Sequence, residues 1–330
     1  MTTANNKKAS IELYRLIFML FIVFWHFRGT QYFEKGYLAV EFYFILSGYL
    51  LYKSYLRSNH LSAFQYTFNK IKRFFPEYFL ALIISTALDL FSKLRNGFDI
   101  NVPKYIFRFI TEVSFVQNIG FFDGGANYPC WYLSVLIIGG FILWALLRIA
   151  NGKIHCIIGA LLSYSLYTLL FIKGESFEQW DFFYPLLRGI AGLSLGIVTA
   201  KISSDTNKDR AYSAVIGILY EAGLFSLCLF AIFSGKIPDI YMPFFFCLLI
   251  LFAFKNSWSE SIDERAKNYI TILGSCTFGM LVFHSSISYC CSSLEKLTNI
   301  PVFITNIIYL VSLLFVSISV KNISRIAIKR

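Results

Sequence analysis

Apolar residues in this chain gather in long continuous runs separated by short polar stretches. Runs of spanning length, about 17–25 residues, are read near 11–28, 36–56, 77–94, 130–148, 154–172, 182–200, 211–233, 239–254, 269–290 and 301–320. The pattern predicts an all-α integral membrane protein with about ten transmembrane helices in one bundle. The eighth run is the weakest, being short and flanked by Pro238 and Pro243. The opening MTTANNKKAS is polar, leads into a full-length span and shows no small-residue cleavage site, so the first helix is expected to stay.

Composition agrees with this reading. Hydrophobic residues make up 57% of the 330 and charged residues 15%, and the mean hydropathy is +0.60, which excludes an ordinary soluble enzyme. Residues 1–330 are therefore expected to form a single polytopic domain with no additional soluble domain. Lysine and arginine set its orientation, because cytoplasmic segments hold the excess. With the N-terminus inside, inner segments carry 19 of the 30, including the basic loop 53–76, whereas outer segments carry nine. Both termini are thus expected in the cytoplasm. The net charge of +11 is mostly this topology signal, and no basic, aromatic-interleaved surface suggests nucleic acid as a partner. The seven cysteines show no C-x-x-C or Cys/His ligand spacing, so no metal site is expected and packing explains them.

Several spans carry ionisable groups. The first, IELYRLIFMLFIVFWHFR, has Arg15 near one end and His26 near the other. Eleven helical residues turn through about 1100° and rise about 16 Å, so both side chains project from one face at different depths. A charge in hydrocarbon costs on the order of 3 kcal/mol or more, so such groups usually line a cavity or path. His26 and His284 each lie fifteen residues into an inside-to-outside span, Glu41 lies about five residues into the second span from outside, and Trp131 opens the fourth. These four groups are expected to share one outer layer. The inner layer is basic, with Arg15 and the run FNKIKRFFPEY carrying Lys70, Lys72 and Arg73, ended by Pro76 at the start of a new span. Arginine and lysine at such a mouth suit phosphates. The two layers together point to a long anionic molecule entering from the cytoplasm with its reactive end reaching outward.

Plain alternatives stand beside each group. His26 follows Trp25 at headgroup level, where interfacial anchoring suffices. His284 suits a structural role, and the basic run suits the positive-inside rule. Glu41 near the interface suits solvation, and Arg188 and Glu221 suit either a structural pair or a cavity lining. The Ser47-Gly48 pair in YFILSGYLLY is explained by close helix packing.

At these residues the chain resembles the acyltransferase family 3 of integral-membrane O-acyltransferases, which typically modify surface polysaccharides. Arg15 and His26 fall on the family's R-x10-H. AVEFYFILSGYLL looks like its V-D/E-x-F-F-x-L-S-G-F/Y element and places Glu41, Ser47 and Gly48. NKIKRFFPEY is similar to R-R-x-x-R-I-x-P-x-Y and places Lys70, Arg73, Pro76 and Tyr78, with Asn69 in place of the first arginine. FVQN followed by YPCWYLSV resembles the loop and W-x-L-x segment, placing Gln117, Asn118 and Trp131, and LGSCTFGMLVFHSS resembles the stretch that places His284. Leu136 stands where many members carry a glutamate, and the aromatic before the histidine and the proline after it are absent, with Gly279-Met280-Leu281 and Ser285-Ser286 nearby.

The resemblance implies a bacterial-type, multi-pass inner-membrane enzyme that moves an acyl group, most simply acetyl, from cytoplasmic acyl-CoA to a hydroxyl of a surface glycan or lipid-linked sugar. No cofactor is then held; acetyl-CoA is a co-substrate, and membrane lipids are the remaining partners. Arg15, Lys70 and Arg73 would grip the phosphates. His26 would act as general base, with Glu41 and His284 as further catalytic groups. Ser47, Asn118 and Trp131 would line the acceptor channel. A transporter or flippase of a lipid-linked glycan would also place ionisable groups along a path, although neither inverted repeats nor paired Gly/Pro-broken spans are visible.

Overall fold

The first apolar run folds as an unbroken helix, α1 (Ala9–Arg28), in a computed structural model that describes residues 8–120, 125–150, 152–174, 176–178, 183–205, 214–255 and 258–329. Eleven further α-helices follow among the described residues. They are α2 (Ala39–Ser58), α3 (Ala63–Arg95), α4 (Val102–Val113), α5 (Trp131–Ile149), α6 (Gly152–Gly174), α7 (Tyr184–Asp205), α8 (Ala214–Ser234), α9 (Met242–Lys255), α10 (Glu264–Gly274), α11 (Thr277–Thr298) and α12 (Val302–Lys329). Among the described residues eight helices are long and apolar enough to cross a membrane, or nine if α10 and α11, broken at Ser275–Cys276, count as one crossing. The chain is an all-α, multi-pass membrane protein. Lys7, Lys208, Arg210 and Arg330 of the charge tally lie outside the described residues.

Three elements differ from the sequence reading. First, α2, read as a span, is not among the eight, because Glu41, Lys53, Arg57 and several tyrosines dilute its apolar content. Much of it is buried, from Ala39 to Tyr52, so protein rather than lipid surrounds it. Second, the segment read as the loop 53–76 is largely helical. α2 runs to Ser58, and α3 continues through Pro76 for 33 residues instead of starting there. One missing N–H donor is tolerated in a long membrane helix where neighbours re-satisfy the freed carbonyl. Third, α4 was not foreseen. Asn101 caps it, accepting from the Lys104 amide at 3.0 Å, and Pro103 lies in its first turn, where a missing N–H costs nothing. Val102, Ile106, Phe107 and Ile110 are exposed on α4 while Thr111 and Glu112 are buried, the arrangement of an amphipathic helix lying at a lipid interface.

The chain packs as two compact units. Unit 1 holds residues 1–66, 138–179 and 186–275; unit 2 holds 67–137, 180–185 and 276–330. In unit 1, Phe18 of α1, Phe42 of α2 and Phe246 of α9 meet ring to ring, with centroids 4.7, 5.1 and 5.8 Å apart. α2 and α7 touch backbone to backbone. A Cβ on Gly48 would lie 2.0 Å from the Leu193 carbonyl oxygen, and one on Gly196 would lie 2.0 Å from that of Ile45. This supports the packing reading of the Ser47-Gly48 pair and adds Gly192 and Gly196 of α7 as a small-xxx-small stripe. In unit 2, α11 packs along α12, and Tyr78, Phe74 and Phe115 form an aromatic cluster that joins α3 to the turn after α4.

Candidate functional site

Unit 1 carries four of the expected site residues. Arg15 and His26 both lie on α1, as the spacing required. The Arg15 Nη1 donates to both carboxylate oxygens of buried Glu12 at 2.9 Å, and Tyr43 donates its hydroxyl to the Arg15 carbonyl. His26 is half-buried, with its ring edge-on to Trp25 at 5.5 Å. Ser47 is half-buried one residue before the Gly48 contact.

Glu41 has a different setting from the solvated one that its place near the interface suits. It is fully buried, and its two oxygens accept separately, one from Arg188 Nε and the other from the Tyr167 hydroxyl at 2.6 Å. Arg188 Nη2 donates to the Tyr37 carbonyl at 3.0 Å. Tyr37 in turn donates its hydroxyl to Asp239 at 2.8 Å, and Asp239 also accepts from Lys35 Nζ and from the Phe177 amide, each at 2.9 Å. Two carboxylates and two cations thus compensate one another, the condition under which buried charge is tolerated. Glu221 belongs to another cluster, accepting from the Tyr14 hydroxyl at 2.9 Å and the Trp258 amide at 3.1 Å. Asp239 and Lys35 were missed in the sequence. Asp239 looked like the flank of the weakest span, and only its isolation among apolar residues after Pro238 marked it.

Unit 2 carries the other five. Lys70 is half-buried and Arg73 exposed, three residues apart and so on one side of α3. Trp131 is buried as the first residue of α5. His284 is fully buried in α11 with Nδ1 2.7 Å from the Leu281 carbonyl oxygen. A carbonyl only accepts, so Nδ1 carries the proton, and in the neutral ring Nε2 is the basic atom. Asn118 has φ of 52° and Phe115 has φ of 55°. Asparagine adopts the left-handed region readily, but for a bulky residue it is strained, and such strain clusters at functional sites.

Unit 2 holds polar atoms that burial should have penalised. Gln117 is fully buried, and both atoms of its carboxamide lack a hydrogen-bond partner among the described residues; so do Asn118 Nδ2, Asn127 Oδ1 and Ser134 Oγ. Glu112, unnoticed in the sequence, anchors the same region. Its carboxylate accepts from the Ala126 and Asn127 amides at 3.1 and 2.8 Å, and a Cβ on Gly125 would collide with it at 1.9 Å. Tyr78, placed by the resemblance, donates its hydroxyl to the Glu112 carbonyl at 2.8 Å. Asn127 Nδ2 then donates to the Val282 carbonyl at 2.9 Å, tying the turn to α11 two residues before His284. Burial pushes the Glu112 carboxyl up to about 7, against the lowering effect of those two amides and of Arg108. Its signal in the sequence was an acid in the otherwise apolar and basic repeat of Val102–Val113. Among the described residues no three His, Cys, Asp or Glu side chains converge as metal ligands.

Buried ionic clusters inside a multi-pass helical protein define a membrane protein built for chemistry or transport rather than a passive anchor. Residues 8–321 match the family described as Acyltransferase domain. The chain belongs to that family, and its class is the multi-pass membrane acyltransferase. A similar curated protein is the serine/alanine racemase of Enterococcus gallinarum, 26% identical over 207 residues, covering 56% of this chain and 27% of that protein. The chain thus spans only about a quarter of that relative's length. No solved structure matches.

Proposed function

We propose that the protein transfers an acyl group, acetyl in the simplest case, from cytoplasmic acyl-CoA to a hydroxyl of a surface glycan or lipid-linked sugar in a bacterial-type inner membrane. The observation that carries this is α1, one continuous helix with Arg15 and His26 eleven residues apart. An axial separation of about 16 Å is of the order of coenzyme A's extended arm, so a phosphate held at Arg15 leaves the thioester level with His26. The imidazole of His26 takes the proton of the acceptor hydroxyl as that oxygen bonds to the thioester carbonyl carbon. The C–S bond then breaks, and the departing sulfur receives the proton from the imidazolium. Glu41, held by Arg188 and Tyr167, acts by fixing the position of α2. In unit 2, Lys70 and Arg73 serve the donor phosphates, Asn118 and Trp131 serve the acceptor, and His284 moves protons through Nε2. Ser47 has the same acceptor-side role in unit 1.

In this reading α2 makes a tenth crossing, since its 20 residues span about 30 Å. Ten crossings return both termini to the cytoplasm, and residues 1–330 work as one domain. The test is acyl transfer from labelled acetyl-CoA in membranes, with free thiol release measured in parallel. His26→Ala at wild-type expression should lose both transfer and acceptor-dependent thiol release. Arg15→Ala should chiefly raise the KM for acetyl-CoA. Undiminished turnover by a stably inserted His26→Ala protein would remove the base assignment.

A further inference from the structure

Unit 2 holds a cavity of about 180 Å³ between the far half of α3 and α11, lined by Ser85, Asp89, Ser92, Ser285, Ser286 and Tyr289 and backed by Ala126. Four hydroxyl-bearing serines, a carboxylate and a phenol give the space between these two helices a polar lining. The Ser85 and Ser286 hydroxyls lie 2.7 Å apart and are both buried, so one proton of the pair is spent and the other remains to be donated. Asp89 accepts from Tyr105, and Lys93 lies 3.3 Å away; both contacts take Oδ2, so Oδ1 keeps its acceptor capacity. The Ala126 wall is fixed from behind by the Glu112 carboxylate.

Size and charge select the ligand class. At about 30 Å³ per water the space equals roughly six waters, enough for one sugar ring. The one charged side chain of the lining is the Asp89 carboxylate, ion-paired with Lys93, and its remaining oxygen suits a hydroxyl donor. Position agrees. Along α3, Asp89 lies sixteen residues beyond Arg73 and nineteen beyond Lys70, about 24–28 Å, close to the bilayer's hydrocarbon thickness of about 30 Å. The cavity and the basic residues are therefore at opposite ends of one membrane helix.

We infer that this cavity receives one sugar ring of the acceptor from the membrane face opposite the acyl-CoA, with Asp89 and the serine pair bonding its hydroxyls and Tyr289 lying along its apolar face. The inference deepens the acyltransferase reading and rests on it for the word acceptor, but the cavity's affinity for a sugar is measurable alone. Saturation-transfer NMR with the full-length protein in detergent, using methyl β-glucoside and methyl N-acetylglucosaminide, should detect millimolar binding without acetyl-CoA. Ser285→Phe, which fills the space, should abolish it. Asp89→Asn, which keeps the shape, should weaken it about tenfold, the loss expected for one charge-assisted hydrogen bond. In the transfer assay both substitutions should raise the acceptor KM with the KM for acetyl-CoA unmoved. Neither glycoside binding, or glycoside binding undiminished in both variants, overturns the inference. Binding lost on filling the cavity in a protein that transfers no acyl group would keep the sugar site and sink the acyltransferase reading. Transfer whose acceptor KM ignores both substitutions would do the reverse.

Discussion

Replacing Glu41 by alanine removes both acceptors that hold Arg188 Nε and the Tyr167 hydroxyl. Arg188 is 2% exposed, so the guanidinium has no solvent to turn to. Breaking a buried pair from one side costs about 3–5 kcal/mol because an uncompensated charge stays behind. The orphaned phenol adds about 1–3 kcal/mol, part of which is shared with the first loss. At roughly 2–4 °C per kcal/mol, the apparent Tm in detergent should fall by at least about 6 °C. The double substitution Glu41→Met with Arg188→Met removes both charges, and since apolar replacement of buried pairs is often neutral it should recover most of that fall. A double-mutant cycle read by thermal unfolding then gives a coupling of several kcal/mol. If either single variant melts with the wild type, or the double variant is as unstable as the two singles added, the pair does not carry the charge compensation assigned to it. Glu41→Gln separates stability from chemistry, because the amide oxygen still accepts from Tyr167 but the charge is gone.

Glu112 should make stability depend on pH. Its carboxyl is raised from 4.5 to about 7 by burial, so the native state binds more protons than the unfolded chain between those values. Its contribution is fully present below about pH 4.5 and is lost as pH rises through 7, a change of roughly 3 kcal/mol at most; Glu112→Gln should flatten that part of the Tm–pH curve, and an unchanged slope would refute the assignment. Gly48→Ala should cost about 1–3 kcal/mol, since the new methyl meets the Leu193 carbonyl rather than a side chain that can swing away; a wild-type Tm would show that α2 and α7 do not touch there. Gln117→Met should raise the Tm, because it removes a buried carboxamide whose unmade bonds cost about 1–3 kcal/mol; a lower Tm would show that the carboxamide is satisfied in solution. Lys70→Gln should raise the KM for acyl-CoA more than Arg73→Gln does, as the half-buried cation is less screened than the exposed one; equal effects, or none, would argue against their contacting the donor.

Long apolar runs made most helices legible, because hydrocarbon imposes both length and composition on what crosses it. α2 shows the limit of that signal. Its length is that of a span, and the residues that dilute its apolar content are tolerated because protein surrounds much of it. α4 escaped notice for the opposite reason, being a 12-residue helix whose apolar positions repeat with basic ones between them. At the site, helical geometry on a single segment was reliable, and Arg15 and His26 came out on α1 as spaced. Partnerships between segments were not. Nothing local joins Glu41 to Arg188, 147 residues away, or Tyr37 to Asp239, 202 residues away, and only the first two carried a sequence reading at all.

The length of α3 carries a mechanical consequence. Thirty-three residues make a rod of about 50 Å, some 20 Å more than a bilayer's oily layer requires. In unit 2 that rod ties the azimuth of Lys70 and Arg73 to that of Ser85 and Asp89, so neither group can rotate alone. Inserting one alanine between Tyr78 and Leu82 would swing the basic end by about 100° and shift it by about 1.5 Å relative to the other. The helix therefore works as a keyed shaft, and an inserted residue should put the basic end out of phase with the far end even though every side chain is still present.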